Sequence, residues 1–548
     1  MKYILTILAF SFISIAQAQY NFSMFWVELT DKDNTPYSVF HPEDFLSYRA
    51  LERREKQGIA IEENDLPISP DYEAQIESKG VRIHHRSKWF NSLAIHVTDT
   101  SVLTSIKNLP FVKSIRPIGQ YRKAKAGKMH KKRFQQDNYK KVKQPYGYGQ
   151  SQISMLNGVA VHKFGYQGDG MHVAVLDGGF LNVYRMPFFD SLRAHNGVLG
   201  THDFVDGDDF VYESSSHGSG VLSTMASNLP YLLVGTAPKA SYYLFKTEDT
   251  KGEFRMEEFN WVAAAERADS LGVDVINSSL GYTSFSDTSM NYTYEDINGE
   301  TALITRGADI AAEKGILVVN SCGNEGDGKW HYIGTPADAK NVLSVGAVRS
   351  DGKRSFFSSW GPTADGRIKP DVAAQGTKSA TGSIMGYDVA YSNGTSFSGP
   401  IMAGMITSLW QAFPDKTNFE IMDMVKLCGH QATKPDSSLG YGIPNFFYAY
   451  LLLSEAGIVV DREGSMFSTL STVKDRLGVF IENGEEEAKV EIKLHNKLQQ
   501  VLYQKQEFLP VNDIKEFRIP NMEDYPSGLY MLSIKINYQS YWIKVIKE

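Results

Sequence analysis

Between residues 150 and 455 short apolar runs alternate with longer amphipathic stretches, and that alternation leaves few folds open. The runs are 172–176, 241–246, 275–278, 317–321 and 342–347. Strands buried on both faces read this way, because helices cover both sides of a parallel sheet. Between them lie 257–271 and 301–314, apolar at helical spacing and closed by Gly272 and Gly315. Strand and helix in turn predict an α/β fold, a doubly wound parallel sheet, over 151–455. Such sheets gather their ligand-binding groups at the carboxyl ends of the strands.

The remaining residues predict flanking units. Residues 1–18 run Lys2, an apolar stretch from 4 to 15, then Ala16-Gln17-Ala18. Charge, apolar run and small-residue cleavage site in that order predict a secretory signal peptide. A buried N-terminal strand is the structural alternative. Residues 19–120 predict a small α+β unit, with strands at 22–29, 81–87, 92–97 and 111–117 and helices at 42–57 and 99–108. The first helix would face inward through Phe45, Tyr48 and Leu51, on a ferredoxin-like plan. Residues 121–150 form a basic linker, where ten Lys and Arg between 122 and 143 face one acid, Asp137. It reads as solvated chain, or as chain meant to be cut, since exposed basic loops are ready protease targets. Residues 465–548 alternate apolar and polar at 477–481, 489–494, 529–536 and 541–546, predicting a small all-β module, a β-sandwich.

Composition narrows the function. Apolar residues at 42% and charged residues at 22% exclude a chain disordered throughout. A net charge of -7 gives no footprint for nucleic acid. No stretch after the leader nears the ~20 apolar residues that span a bilayer. The chain is therefore expected to be secreted, extracellular or at the cell surface. Its two cysteines, Cys322 and Cys428, either pair or stay as packed thiols.

Four segments carry chemistry. Val173-Ala174-Val175-Leu176-Asp177-Gly178-Gly179 is a strand ending in an acid. Ser216-His217-Gly218-Ser219-Gly220 starts a helix with a histidine. Cys322-Gly323-Asn324-Glu325-Gly326 follows a strand and offers an amide. Asn393-Gly394-Thr395-Ser396-Phe397-Ser398-Gly399-Pro400 puts a serine at a helix start, with Pro400 expected in the first turn. Each alone has a plain reading as a turn residue or cap. Together they supply what acyl transfer by serine needs: nucleophile, base, a carboxylate to orient the base, and an oxyanion donor. The order acid, histidine, serine differs from that of α/β-hydrolases and of chymotrypsin-like enzymes.

With these segments the chain resembles the subtilisin-like serine peptidases over roughly 155–450. Further support comes from Asp274-Val275-Ile276-Asn277-Ser278-Ser279-Leu280-Gly281, Phe357-Ser358-Ser359-Trp360-Gly361-Pro362 and Lys369-Pro370-Asp371-Val372-Ala373-Ala374. The resemblance implies a serine endopeptidase acting on protein or peptide substrates through an acyl-enzyme. Ser396 would be nucleophile, His217 base, Asp177 its orienting acid and Asn324 the oxyanion donor. Ser279, Leu280 and Gly281 would bind substrate backbone. Gly334 would floor the pocket for the residue before the cut, leaving room for a bulky apolar side chain. Gly178, Ser219-Gly220 and Phe397-Ser398-Gly399 depart from the family's usual residues without removing a catalytic group.

The same resemblance makes 19–120 an inhibitory propeptide, so that the enzyme is a zymogen whose partners include its own propeptide. Pro526-Ser527-Gly528-Leu529-Tyr530-Met531-Leu532 and a Lys-rich last strand resemble the C-terminal sorting domain of type IX export, implying secretion machinery as a partner. The usual Pro-Asn-Pro entry to such a domain is absent. No cofactor is expected. Asp203, Asp206, Asp208 and Asp209 beside Gly207 carry oxygens that suit calcium, but not at EF-hand spacing, and a solvated acidic turn serves as well. The alternative to an enzyme is a catalytically silent surface protein that keeps the fold for binding.

Overall fold

The computed structural model describes residues 22–121, 141–454, 458–460, 466–468, 472–473, 477–483, 486–511 and 513–547. The expected leader and most of the basic linker (122–140) lie outside the described residues.

The N-terminal unit has strands β1 (Met24–Leu29), β2 (Arg82–Ser87), β3 (Ser92–His96) and β4 (Val112–Gly119), and helices α1 (Tyr48–Lys56), α2 (Pro70–Glu77) and α3 (Leu103–Lys107). The sheet runs β2-β3-β1-β4 with antiparallel pairing throughout. This is the ferredoxin-like order. One face buries Val27, Leu93 and Ile95 with Tyr72, Ile76 and Ile106 of α2 and α3.

The expected helix at 42–57 is not continuous. A single tight turn at Pro42–Asp44 precedes α1, whose N-cap Ser47 accepts the Ala50 N–H. Tyr48 is 83% exposed, while Ala50, Arg53 and Arg54 are buried. The apolar spacing pointed to the wrong face, because α1 is held by ion pairs rather than by apolar contact. The helix covering the sheet in its place is α2, which that reading did not contain.

Strands β5 (His172–Asp177), β6 (Val198–Asp203), β7 (Ser241–Lys246), β8 (Val275–Ser278), β9 (Leu317–Ser321), β10 (Leu343–Val348) and β11 (Val372–Gln375) form the central sheet. Its order is β11-β10-β9-β8-β5-β7-β6, with every neighbour parallel. Side chains alternate between its faces. Val173 and Val175 pack under α4 (His217–Ala226) and α7 (Thr395–Ala412). Ala174 and Leu176 pack under α5 (Met256–Leu271) and α6 (Leu303–Glu313). The second face of the N-terminal sheet joins that latter core, with Trp26 edge-on to Phe259 at 5.5 Å.

From β5 the chain builds outward to β6 and β7, then returns to β8 on β5's other side. The strand order reverses there, so the crevice between the carboxyl ends of β5 and β8 is the topological switch point.

The C-terminal region is β-rich. Leu477–Glu482 pairs with Ile514–Ile519, and Ala488–His495 lies between Val501–Leu509 and Gly528–Ile536. Val479, Ile481, Val490, Phe517 and Leu532 share one core. Phe480 turns the other way, onto Phe164 at 5.4 Å. Cys322 and Cys428 are both free thiols.

Candidate active site

Asp177 ends β5 and is 1% exposed. Its Oδ1 accepts the Gly178 N–H at 2.8 Å, and Oδ1 and Oδ2 lie 3.0 and 2.9 Å from Nδ1 of His217. His217 is the first residue of α4. The helix reaches the strand end because Gly218 has no side chain: a Cβ there would sit 2.5 Å from Gly179 O and 3.0 Å from Asp177 Cβ. Attraction to Asp177 outweighs burial and raises the imidazole above its ordinary value.

Ser396 is the second residue of α7 and is 8% exposed. Gly394 enters the helix at φ +147°, a conformation that favours glycine. Pro400 stands inside α7, not in its first turn. The displacement has a consequence. A proline at this position supplies no N–H to the carbonyl four residues back, that of Ser396. The freed carbonyl accepts Ser279 Oγ at 3.0 Å, tying α7 to the end of β8. In return Ser396 Oγ donates to Ser279 O at 3.4 Å. Among the described residues this long bond, and not one to His217 Nε2, is the hydroxyl's contact. Rotation about χ1 re-aims it, and such bonds commonly tighten only with substrate present. The neighbouring Phe397 ring lies 5.9 Å from the His217 ring.

Asn324 follows β9. Its Oδ1 accepts from Thr395 N at 2.8 Å and Thr395 Oγ1 at 3.1 Å. A backbone N–H can only donate, so the carbonyl oxygen faces Thr395 and the NH₂ remains for the cleft. Gly323 holds the approach at φ +110°, where a Cβ would meet Ser359 Oγ at 2.9 Å. Ser396 and Asn324 line one cavity of about 300 Å³, together with Ser279, Leu280, Gly281 and Gly334. Of the eight residues expected to be catalytic or substrate-binding, six line this cavity; the other two, Asp177 and His217, pair with each other, the imidazole standing 5.9 Å from the ring of Phe397, the neighbour of Ser396.

The acidic turn after β6 holds its own cation. Lys246 Nζ lies 2.6 Å from Asp203, 3.4 Å from Asp206 and 3.8 Å from Glu213. Glu248 and Glu253 also line the cavity and were not singled out. The available signal was Glu248's place two residues past the apolar run 241–246, near a strand's carboxyl end as Asp177 is.

A parallel α/β sheet bearing an acid-bound imidazole, a helix-start serine and an amide has the parts of a serine endopeptidase, the class to which the relatives below assign the chain. Comparison with known proteins gives the family. The family model described as the Subtilase family matches residues 168–442, and one described as the Peptidase S8 propeptide domain of Bacteroidota matches 24–136. The chain belongs to the subtilase family and carries a propeptide. Subtilisin E of Bacillus subtilis (strain 168) is 34% identical over 302 residues, 54% of this chain and 68% of that protein. Subtilisin of Bacillus pumilus has the same identity over 94% of its length. Among solved structures, MycP1 from Mycobacterium smegmatis is 21% identical over 57% of this chain and 86% of its own, with a TM-score of 0.44.

Proposed function

We propose that this chain is a secreted zymogen of a subtilisin-like endopeptidase, in which Ser396 is the nucleophile, His217 the base, Asp177 its orienting acid and Asn324 an oxyanion donor. Ser396 Oγ attacks the scissile carbonyl as His217 Nε2 takes its proton. Asp177 keeps Nδ1 protonated and stabilises the imidazolium. The Asn324 NH₂ and the Ser396 N–H meet the oxyanion. His217 then protonates the leaving amine, and water resolves the acyl-enzyme by the same steps. Ser279, Leu280 and Gly281 bind the substrate backbone. The observation that carries this reading is the Asp177–His217 pair at 2.9 Å beside the cavity that Ser396 and Asn324 share. A fluorophosphonate should label processed protein once, at Ser396, with loss of peptide hydrolysis. A silent binding protein would take no label.

Two further outcomes follow. His217 must be neutral to accept the proton, and its pKa lies above the usual ~6.5. The charged form therefore persists to higher pH, and kcat/KM should fall as pH drops through that raised value. Asp177→Asn removes the cause and should lower kcat by about 10⁴; a pH–rate profile reads both. Asn324→Ala should lower kcat by about 10²–10³ with KM little changed, the size such a donor carries in subtilisin. A change confined to KM would count against the oxyanion role.

In this reading 1–18 is removed on export, 19–120 is the propeptide, and cleavage within 121–150 frees the unit at 151–455. Residues 465–548 are a β-sandwich acting as a type IX sorting domain, supported by the final hairpin, whose Tyr530 Oη donates to Pro526 O at 2.6 Å. Deleting 465–548 should keep the protein inside the outer membrane, as cell fractionation would show.

A further inference from the structure

We propose that the cavity beside Ser396 selects substrates with lysine or arginine near the scissile bond, through Glu248 and Glu253. This deepens the peptidase reading and rests on it. The cavity that holds the nucleophile is also lined by Glu248, Glu253 and Glu325. Carboxylate oxygens of Glu248, Glu253 and Glu257 lie within 4.8 Å of one another.

The three are not equivalent. Glu257 is engaged by its own loop, accepting from Asp249 N at 2.8 Å and Phe254 N at 2.9 Å. Glu248 Oε1 accepts from Tyr282 Oη at 2.6 Å and Thr247 Oγ1 at 2.9 Å, which fixes the side chain. Among the described residues, no protein donor meets Glu248 Oε2 or the Glu253 carboxylate, and no lysine or arginine pairs with either. The Glu253 backbone is nevertheless held, donating to Ser286 Oγ at 3.1 Å and accepting from Ser286 N at 2.8 Å.

Elsewhere this molecule neutralises its grouped acids. Lys246 serves Asp203, and Arg53, Arg54 and Lys88 serve Asp269. In the cleft the countercharge is left to whatever enters. Burial raises the carboxyl groups of Glu248, Glu253 and Glu257 above the ordinary range. A substrate cation is the partner that returns their charge, because an opposite charge within ~4–6 Å favours the ionised form. The chain carries a matching substrate of its own, ten Lys and Arg between 122 and 143.

The test uses processed enzyme, titrated with fluorophosphonate, and peptides that differ only in Lys, Arg, Phe or Glu at one position, scanned along the residues beside the cut. Lys and Arg should exceed Phe in kcat/KM by at least tenfold. Glu253→Gln should lower the Lys-to-Phe ratio tenfold or more, Glu248→Gln likewise, and Glu253→Lys should raise the Glu peptide above the Lys peptide. Labelling stoichiometry reports folding independently of the peptide. A labelled enzyme that prefers Phe, or Glu253 variants with an unchanged ratio, would overturn the selectivity alone. Wild-type protein that takes neither label nor peptide would overturn the peptidase reading and this inference with it.

Discussion

Ser396→Ala should leave the precursor uncut and reduce peptide hydrolysis by about 10⁶ in kcat, the loss that removing this serine brings in subtilisin. Without the hydroxyl there is no acyl-enzyme, and the Asp177–His217 pair has no proton to take. Asn324 and the cleft remain, so the residue of activity should be the 10³–10⁴ over water, roughly, that an oxyanion hole and binding alone provide. The readout is N-terminal sequencing and intact mass of exported protein. Wild type should begin within 121–150, whereas the variant should keep the residues from 19 onward. Identical termini would assign maturation to another protease. Undiminished turnover by the variant would remove Ser396 from the chemistry.

That expectation could be written from the sequence because the site sits where strands end. β7, β8 and β9 coincide with the runs 241–246, 275–278 and 317–321, since a strand covered on both faces reads as a mostly apolar run. What escaped had another physical cause. β6 is an edge strand and is less buried than its neighbours, so its apolar signal fades; β11, the other edge, is buried throughout but only four residues long. Pro400 read as a first-turn residue because periodicity does not locate where a helix begins. The face of α1 was misread because Arg53 and Arg54 are buried by pairing. A charged side chain that finds its partner 215 residues away leaves no local pattern.

That distant partner, Asp269 on α5, gives the second large expectation. Asp269 is fully buried and receives Arg53, Arg54 and Lys88 from the propeptide. Arg54 also grips Asp65 at 2.9 and 3.0 Å, and Lys314 of the peptidase unit reaches Asp65 at 3.1 Å. A buried network like this adds little over an apolar contact of equal area, yet breaking it by removing one partner costs about 3–5 kcal/mol, because charge is left buried and unpaired. Asp269→Ala should therefore weaken the hold on the propeptide by about 10²–10⁴. In a Ser396→Ala background, trypsin added to cut the basic linker leaves the two parts joined only by this interface. They should co-elute on size exclusion, and with Asp269→Ala they should separate at micromolar concentration. Undiminished co-elution would show that the apolar contact around Trp26 and Phe259 suffices.

The pH dependence of that hold has two sources of opposite kind. Burial alone would raise the Asp269 carboxyl, but Lys88, Arg54 and Arg53 more than offset it and hold it far below the carboxylate range. Its contribution is thus complete above the free value near 3.9 and is lost only as pH falls through the depressed one. His84 and His85 sit on the same interface, with Nε2 atoms 3.2 and 2.6 Å from Phe204 O. Burial lowers both, His84 to about 4. Each must stay neutral to remain docked, so the interface loses free energy as pH falls from ~6.5 toward 4. Mild acid should loosen the propeptide through the histidines while the Asp269 network stays intact. In the trypsin-cut complex, His84→Gln with His85→Gln should flatten the pH dependence of co-elution between 7 and 5, and Asp269→Ala should lower affinity at every pH without flattening it.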